Sequence, residues 1–234
     1  MLKIDNPEAL LSISNSQSVE DAISFILGEP CATGTITTNS SKKSIKFTTK
    51  GIKLFGSTVE QVTLDFNFSK KTLDIMSFVL PPSSQGKGVL KMWLKKVVSD
   101  YEARGINNIT VSANLQAGGY AWARMGFNCM DTAESEALAD SVLEKLESLG
   151  VEEDDISDYI RDNSTKLDLP FKLATIKFPK IETSLKSKPN IKKLFPSGVP
   201  ITLGKILLFK QSWDGKLNLK NTAQKTILFS AIKT

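Results

Sequence analysis

The chain has 234 residues, enough for a substantial buried core, with 41% hydrophobic and 24% charged residues, as in an ordinary globular protein. Its net charge is +5 and it has no histidine. That absence excludes Ser-His-Asp and Cys-His catalysis, histidine-ligated zinc and histidine general bases, so acid–base work falls to carboxylates, Tyr, Cys, Lys, backbone or water. No stretch approaches the ~20 apolar residues that span a bilayer. The start of the chain has no basic segment followed by an apolar run, so no secretory signal is expected. Cys31 and Cys129 cannot make a zinc site alone, and reduced cytoplasmic thiols are expected.

Residues 1–14 accommodate a short helix. Ser18-Val19-Glu20-Asp21 caps a second, with Val19, Ala22, Ile23, Ile26 and Leu27 on helical spacing and Gly28 and Pro30 as stops. The Thr/Ser/Lys-rich stretch from Ala32 to Lys50 predicts a hairpin connected at Asn39-Ser40-Ser41. Val62, Leu64, Phe66 and Phe68 alternate with Gln61, Thr63, Asp65 and Asn67, which predicts a half-buried strand. After the turn Ser69-Lys70-Lys71 a second strand runs from Thr72 to Leu80, antiparallel to the first, and Pro81-Pro82 stops it.

A helix begins after Gly88, with Val89, Met92, Trp93, Val97 and Tyr101 inward, and stops at Arg104-Gly105. Ile109 to Val111 predicts a short buried strand, and Ala117 to Met125 a helix ended by Gly126. Leu138, Val142, Leu146 and Leu149 form the apolar stripe of an acidic helix closed by Gly150, and Glu152 to Asp162 a further short helix. The proline-punctuated tail carries strand-like segments at Ile201–Phe209 and Thr226–Phe229, with Trp213-Asp214-Gly215 as a turn.

Charge is unevenly placed. Residues 131–162 hold twelve Asp/Glu and two Lys/Arg, a net of −10 in a chain of +5, so the remainder carries +15. The basic excess is lysine; Arg104, Arg124 and Arg161 are the only arginines. Lysine attracts anions as a point charge but does not supply the bidentate base readout of arginine. A solvated lysine-rich surface is the plain reading, and a non-specific nucleic-acid binder is a less favoured one.

The chemistry concentrates between Asp74 and Phe127. An apolar strand ends at Pro81-Pro82, a loop Gln85-Gly86-Lys87-Gly88 follows, and a helix opens at once. Glycines let backbone approach a ligand, and the N–H groups of a first helical turn point at anions. The same residues also suit a plain strand-to-helix turn.

This order resembles the acetyl-CoA-binding core of the GNAT superfamily of N-acetyltransferases. Its signature is Gln/Arg-x-x-Gly-x-Gly/Ala: here Gln85 takes the first position, Gly88 the fourth, and Leu90 stands as a departure at the sixth. Ile109-Thr110-Val111-Ser112, Asn114, Ala117 and Gly126-Phe127 match the next strand, its Asn and the closing Gly-Phe. The direct resemblance covers roughly a quarter of the chain. The segment Gly118-Gly119-Tyr120-Ala121-Trp122 to Phe127 also looks like one found in acetyltransferase-like domains of bacteriophage proteins.

The resemblance implies a site. Phe78, Val79 and Leu80 match the splayed strand end that pairs with the pantetheine arm, and the loop Gln85, Gly86, Lys87, Gly88, Val89 and Leu90 would bind the pyrophosphate, with Asn114 beyond. The family's thiolate-protonating Tyr, five residues before the Gly-Phe phenylalanine, falls on Trp122, which has no titratable group. Tyr120 lies two residues, about 200° of helix, away from that position. It is the candidate acid, with a partner-facing or buried aromatic as the equal alternative. Asp65, Asp74 and Glu60 are candidate bases, each more simply a solvated strand carboxylate, and Cys129 reads as a small buried thiol rather than a nucleophile. No metal site is expected.

The resulting expectation is an α/β fold with a mixed, mostly antiparallel sheet flanked by helices. It is divided into a helical segment 1–30, an acetyltransferase-like core 31–130, an acidic helical segment 131–165 and a basic, strand-containing part 166–234 packing on the core. The implied activity is acetyl transfer from acetyl-CoA to an amine-bearing acceptor, a small molecule or a protein, in the cytoplasm and away from membranes. The alternative is a catalytically inactive binding protein or a phage virion-associated protein, meeting a virion or host partner.

Overall fold

The structure, a computed structural model, describes residues 2–31, 33–114, 118–151, 154–195 and 200–230. The chain divides into two compact units, Met1–Val111 with Asn218–Lys225, and Ser112–Leu217 with Thr226–Thr234.

In the first unit β1 (Leu2–Ile4), α1 (Pro7–Ser14) and α2 (Val19–Leu27) precede four long strands: β2 (Gly34–Asn39), β3 (Ser44–Leu54), β4 (Ser57–Asn67) and β5 (Thr72–Val79). A single 3₁₀ turn, Pro82–Ser84, leads to α3 (Val89–Ala103), and β6 (Asn108–Ala113) follows. The ladders β2–β3, β3–β4 and β4–β5 are antiparallel, while β1–β2 and β5–β6 are parallel. The sheet is therefore mixed and mostly antiparallel, as expected.

Its inner face is apolar because strand alternation sends Ile36, Ile45, Phe47, Leu64, Phe66, Leu73 and Ile75 to one side, all buried. Helices α2 and α3 close that side: Phe25 and Tyr101 each meet the Phe66 ring at 5.3 Å. The Tyr101 hydroxyl donates to Ile26 O at 2.6 Å, so the one polar atom of this cluster is satisfied. Arg104, at the C-cap of α3, donates to Ser14 O, Asn15 O and Ser16 Oγ and pairs with Asp21 at 3.0 Å, clamping the helix entries. Ser18 caps α2 through Asp21 N, as its sequence predicts. The opposite face of the sheet stays polar: Thr37, Lys46 and Asp74 are exposed there and Asp65 half-exposed.

The second unit is helical. It holds α4 (Gly118–Arg124), α5 (Thr132–Ser148), α6 (Asp154–Asn163), α7 (Leu169–Thr175), α8 (Pro179–Ser187), α9 (Pro189–Leu194) and α10 (Leu203–Leu208), with the short antiparallel pair β7 (Asn128–Cys129) and β8 (Trp213–Asn218). Helix α11 (Thr222–Ser230) ends the described chain. The apolar stripe of α5 packs as its spacing predicts, with Leu138, Val142 and Leu146 buried and Leu149 half-buried.

Three expectations fail in the tail. Ile201–Phe209 contains helix α10 rather than a strand, Thr226–Phe229 lies in α11, and Trp213-Asp214-Gly215 begins a strand instead of forming a turn. A short apolar run has no period that separates a buried strand from a buried helix. Here Leu203, Ile206, Leu207 and Leu208 are all buried, which accounts for the apolar run Ile206–Phe209. Thr202 caps it through Lys205 N, a start signal that the apolar run masks. Strand β1 was not expected either; three residues are too few for a pattern.

Candidate functional site

Strand β5 changes character halfway along. Its parallel ladder with β6 runs from Thr72↔Asn108 to Ile75↔Val111 and ends there, although β5 continues to Val79. On the other edge the register shifts at the same place: Leu64 faces Ile75 but Thr63 faces Ser77, so Met76 is a bulged residue. Among the described residues Met76 is also the most exposed large apolar side chain, at 55%. Beyond it the inward parity flips, which is why Phe78 rather than Ser77 is buried, its ring 5.2 Å from Trp93 of α3 and tilted against it. Val79 and Leu80 are half-buried.

The bulge escaped sequence reading, though a signal exists. Inward residues Leu73 and Ile75 are two apart, whereas Ile75 and Phe78 are three apart, one more than strand alternation allows.

The loop that follows is tied to the strand end. Gln85 Nε2 donates to Leu80 O at 3.1 Å, and Gln85 N to Pro81 O at 3.2 Å and Pro82 O at 3.3 Å. The Gln85 N–H is thus spent inside the loop, so anion binding here would rest on Gly86 to Leu90. Ser84 is buried beneath it. Gly86 and Gly88 have φ of +76° and +72°, conformations that side chains rarely adopt, and a Cβ at either would point into open space. Gly88 is also the N-cap of α3, and no side chain caps that helix. The site therefore presents an uncapped fifteen-residue helix behind two glycines. Lys87 is exposed, Val89 buried and Leu90 half-buried. Leu90 turns partly inward, and the glycines leave the approach to the helix end clear.

Asn114, Tyr120, Trp122 and Cys129 lie in the second unit, and the candidate carboxylates in the first. Asn114 is exposed and its N–H donates to Ser112 O at 3.1 Å. Ala117, part of the sequence pattern, lies outside the described residues. Tyr120 sits half-buried on α4, with Lys205 Nζ 5.7 Å from its ring centroid. Trp122 is 7% exposed and meets Phe127 edge-on at 5.1 Å, a packed core indole. Cys129 is buried, and burial pushes its thiol up to about 12, which removes it as a nucleophile at neutral pH. Of the carboxylates, Glu60 and Asp74 are exposed and Asp65 half-exposed; Thr110 Oγ1 donates to Asp74 Oδ1 at 3.4 Å. Among the described residues no cluster of three or more His, Cys, Asp or Glu could hold a metal, and no helix is long and apolar enough to cross a membrane.

No protein-family model matches the chain, and no curated protein matches it. Two solved structures are similar over part of it. A nourseothricin acetyltransferase is 21% identical over 38% of this chain, with a TM-score of 0.30. An IAA acetyltransferase from Bacillus cereus ATCC 14579 is 19% identical over 39% of this chain, with a TM-score of 0.28. The match spans 54% and 61% of those two chains.

Proposed function

We propose that the protein is a coenzyme-A-dependent N-acyltransferase, transferring an acetyl group from acetyl-CoA to an amine. One observation carries the reading: β5 leaves its parallel partner at Ile75, bulges at Met76, and leads within a few residues to two left-handed glycines and an uncapped helix. The backbone of Ser77–Val79 can then pair with an amide-bearing arm, while Gly86 to Leu90 offer N–H groups and the positive end of α3 to a pyrophosphate. Lys87 adds a positive charge beside them.

Acetyl-CoA supplies the thioester. The amine nitrogen bonds to the acyl carbon as the C–S bond breaks, the thiolate takes a proton, and the amine loses one. Tyr120 is the proposed proton donor, on sequence order and chemistry. The candidate bases remain Glu60, Asp65 and Asp74, with water as the alternative.

A second reading is favoured by Trp122. The position at which the family resemblance implies an acid is filled by a packed indole. The chain would then be an acetyltransferase-like binding protein, virion-associated if of phage origin, that has kept the fold without the chemistry.

Titration calorimetry with CoA decides the first point. Binding is expected at concentrations up to millimolar, and no heat at that concentration rejects the cofactor. Binding by a protein that turns over no amine supports the second reading.

A further inference from the structure

The first unit builds one turn twice. Asn39-Ser40-Ser41-Lys42-Lys43-Ser44 joins β2 to β3, and Asn67-Phe68-Ser69-Lys70-Lys71-Thr72 joins β4 to β5, so both read Asn-x-Ser-Lys-Lys-Ser/Thr. In each, the Asn carboxamide oxygen accepts the backbone N–H of the first lysine, at 3.0 Å for Asn39–Lys42 and 2.9 Å for Asn67–Lys70. In each, the second lysine is left-handed, with φ of +46° at Lys43 and +57° at Lys71. That conformation costs a non-glycine residue roughly 1–2 kcal/mol, and Asn or Gly would suit it better. Lys43 and Lys71 thus turn the chain, and the lysine before each of them, Lys42 or Lys70, is the one that lines the cleft below.

The turns are laced together. Phe68 N donates to Lys43 O at 2.9 Å and Ser69 Oγ to Lys42 O at 3.1 Å. Beside them lies a concavity of about 720 Å³ whose lining includes Thr37, Asn39, Lys42, Lys46, Asp65 and Lys70. No aromatic or aliphatic side chain lines it. Three ammonium groups face one carboxylate, and among the described residues none of the three lysines forms an ion pair.

The hydrogen-bond inventory adds to this. Asn39 Oδ1 accepts from both Lys42 N and Ser41 Oγ, and Asn67 Oδ1 from Lys70 N. The acceptor ends of both carboxamides are therefore spent inside the turns, which turns their NH₂ ends toward other partners. The cleft is net positive, donor-rich and held by backbone hydrogen bonds.

We propose that this cleft binds a compact polyphosphate-type anion, a small molecule with two or more linked phosphates. Lysine supplies point charges suited to phosphate oxygens. A nucleic-acid strand fits less well: the lining has no aromatic platform for a base and no arginine to read one. The cleft is separate from the glycine loop. The turn precedes Thr72 and the loop follows Val79, at opposite ends of a strand of eight residues, about 25 Å at 3.3 Å per residue.

The test is calorimetric titration of the full chain with sodium tripolyphosphate at low salt. The wild type binds, and Lys42→Gln with Lys70→Gln weakens binding by at least about tenfold, the loss of one charge-assisted contact or more. Lys42→Arg with Lys70→Arg keeps binding, as does Lys192→Gln with Lys193→Gln, which removes two exposed charges elsewhere. Gly88→Val also keeps it, separating this site from the glycine loop. Each variant's melting temperature reports that it is folded. Absence of binding by the wild type overturns the proposal. So does equal weakening by the Lys192/Lys193 pair, or capture of a single-stranded oligonucleotide by Lys42 and Lys70 without capture of tripolyphosphate.

Discussion

The Gln85 side chain donates to Leu80 O at 3.1 Å, binding the first residue of the glycine loop to the residue just beyond β5. The consequence is mechanical. The loop cannot swing from the strand without breaking that bond, so the backbone after the Met76 bulge and the N-terminus of α3 stay within one short connection. A glycine-assisted turn becomes a preorganised edge.

Gly88→Val tests that edge. A Cβ there meets no atom within 4 Å, so the substitution introduces no clash with the protein. The φ of +72° remains, and a β-branched residue in it is expected to lower stability by about 1–2 kcal/mol or somewhat more. The valine methyls stand where an anion would sit. A melting curve with a modest shift, paired with loss of CoA heat, is the expected result. Unchanged CoA affinity in the folded variant would move the pyrophosphate away from this loop.

For catalysis, Tyr120→Phe keeps the ring under Lys205 Nζ and removes only the hydroxyl. The fold should hold. If the phenol protonates the leaving thiolate, turnover falls by about 10²–10⁴-fold, with CoA affinity unchanged. The assay follows thiol release with an amine acceptor, or slow hydrolysis of acetyl-CoA. Full turnover by the variant assigns the proton to another group or to water.

In the second unit, Gly204→Ala and Leu146→Ala should both destabilise, for opposite reasons. A Cβ at Gly204 would lie 2.6 Å from the carbonyl oxygens of Leu173 and Ala174, so α10 and α7 must separate. The helix-propensity gain of alanine, at most about 1 kcal/mol, is outweighed by overpacking of about 1–3 kcal/mol or more. Leu146 is 2% exposed, and its truncation leaves a cavity worth about 2–5 kcal/mol. Denaturant titration measures both, and a wild-type midpoint for Leu146→Ala would mean that α5 is loosely held.

Lys145 makes stability depend on alkaline pH. Burial, with Lys210 nearby, lowers it from 10.5 to about 8, while its ammonium donates to Leu207 O at 3.2 Å and to Phe209 O. Between those two pH values the unfolded chain holds this proton more tightly than the folded one. Stability therefore gains from this group as pH rises from about 8 toward 10.5. Lys145→Met removes that gain along with the two carbonyl contacts. Melting temperature against pH should rise less, or fall more, across this window in the variant; parallel curves would mean that Lys145 titrates normally.

The sequence by itself determined whatever a single element's pattern can encode. Ser18 and Gly28 bound α2, strict alternation from Gln61 to Phe68 gave β4 its buried face, and Leu138, Val142 and Leu146 gave α5 its inward stripe. Gly86 and Gly88 marked the loop because side chains rarely adopt the backbone they need. Tertiary structure decided the rest. Ile201–Phe209 contains a helix whose Leu203, Ile206, Leu207 and Leu208 are all buried, a burial that no local period records. The Met76 bulge exists only in the register between β4 and β5, and the lysine cleft only because two turns far apart in sequence are laced side by side. Pairing across strands is a non-local contact, so its chemistry becomes visible only once the partners are known.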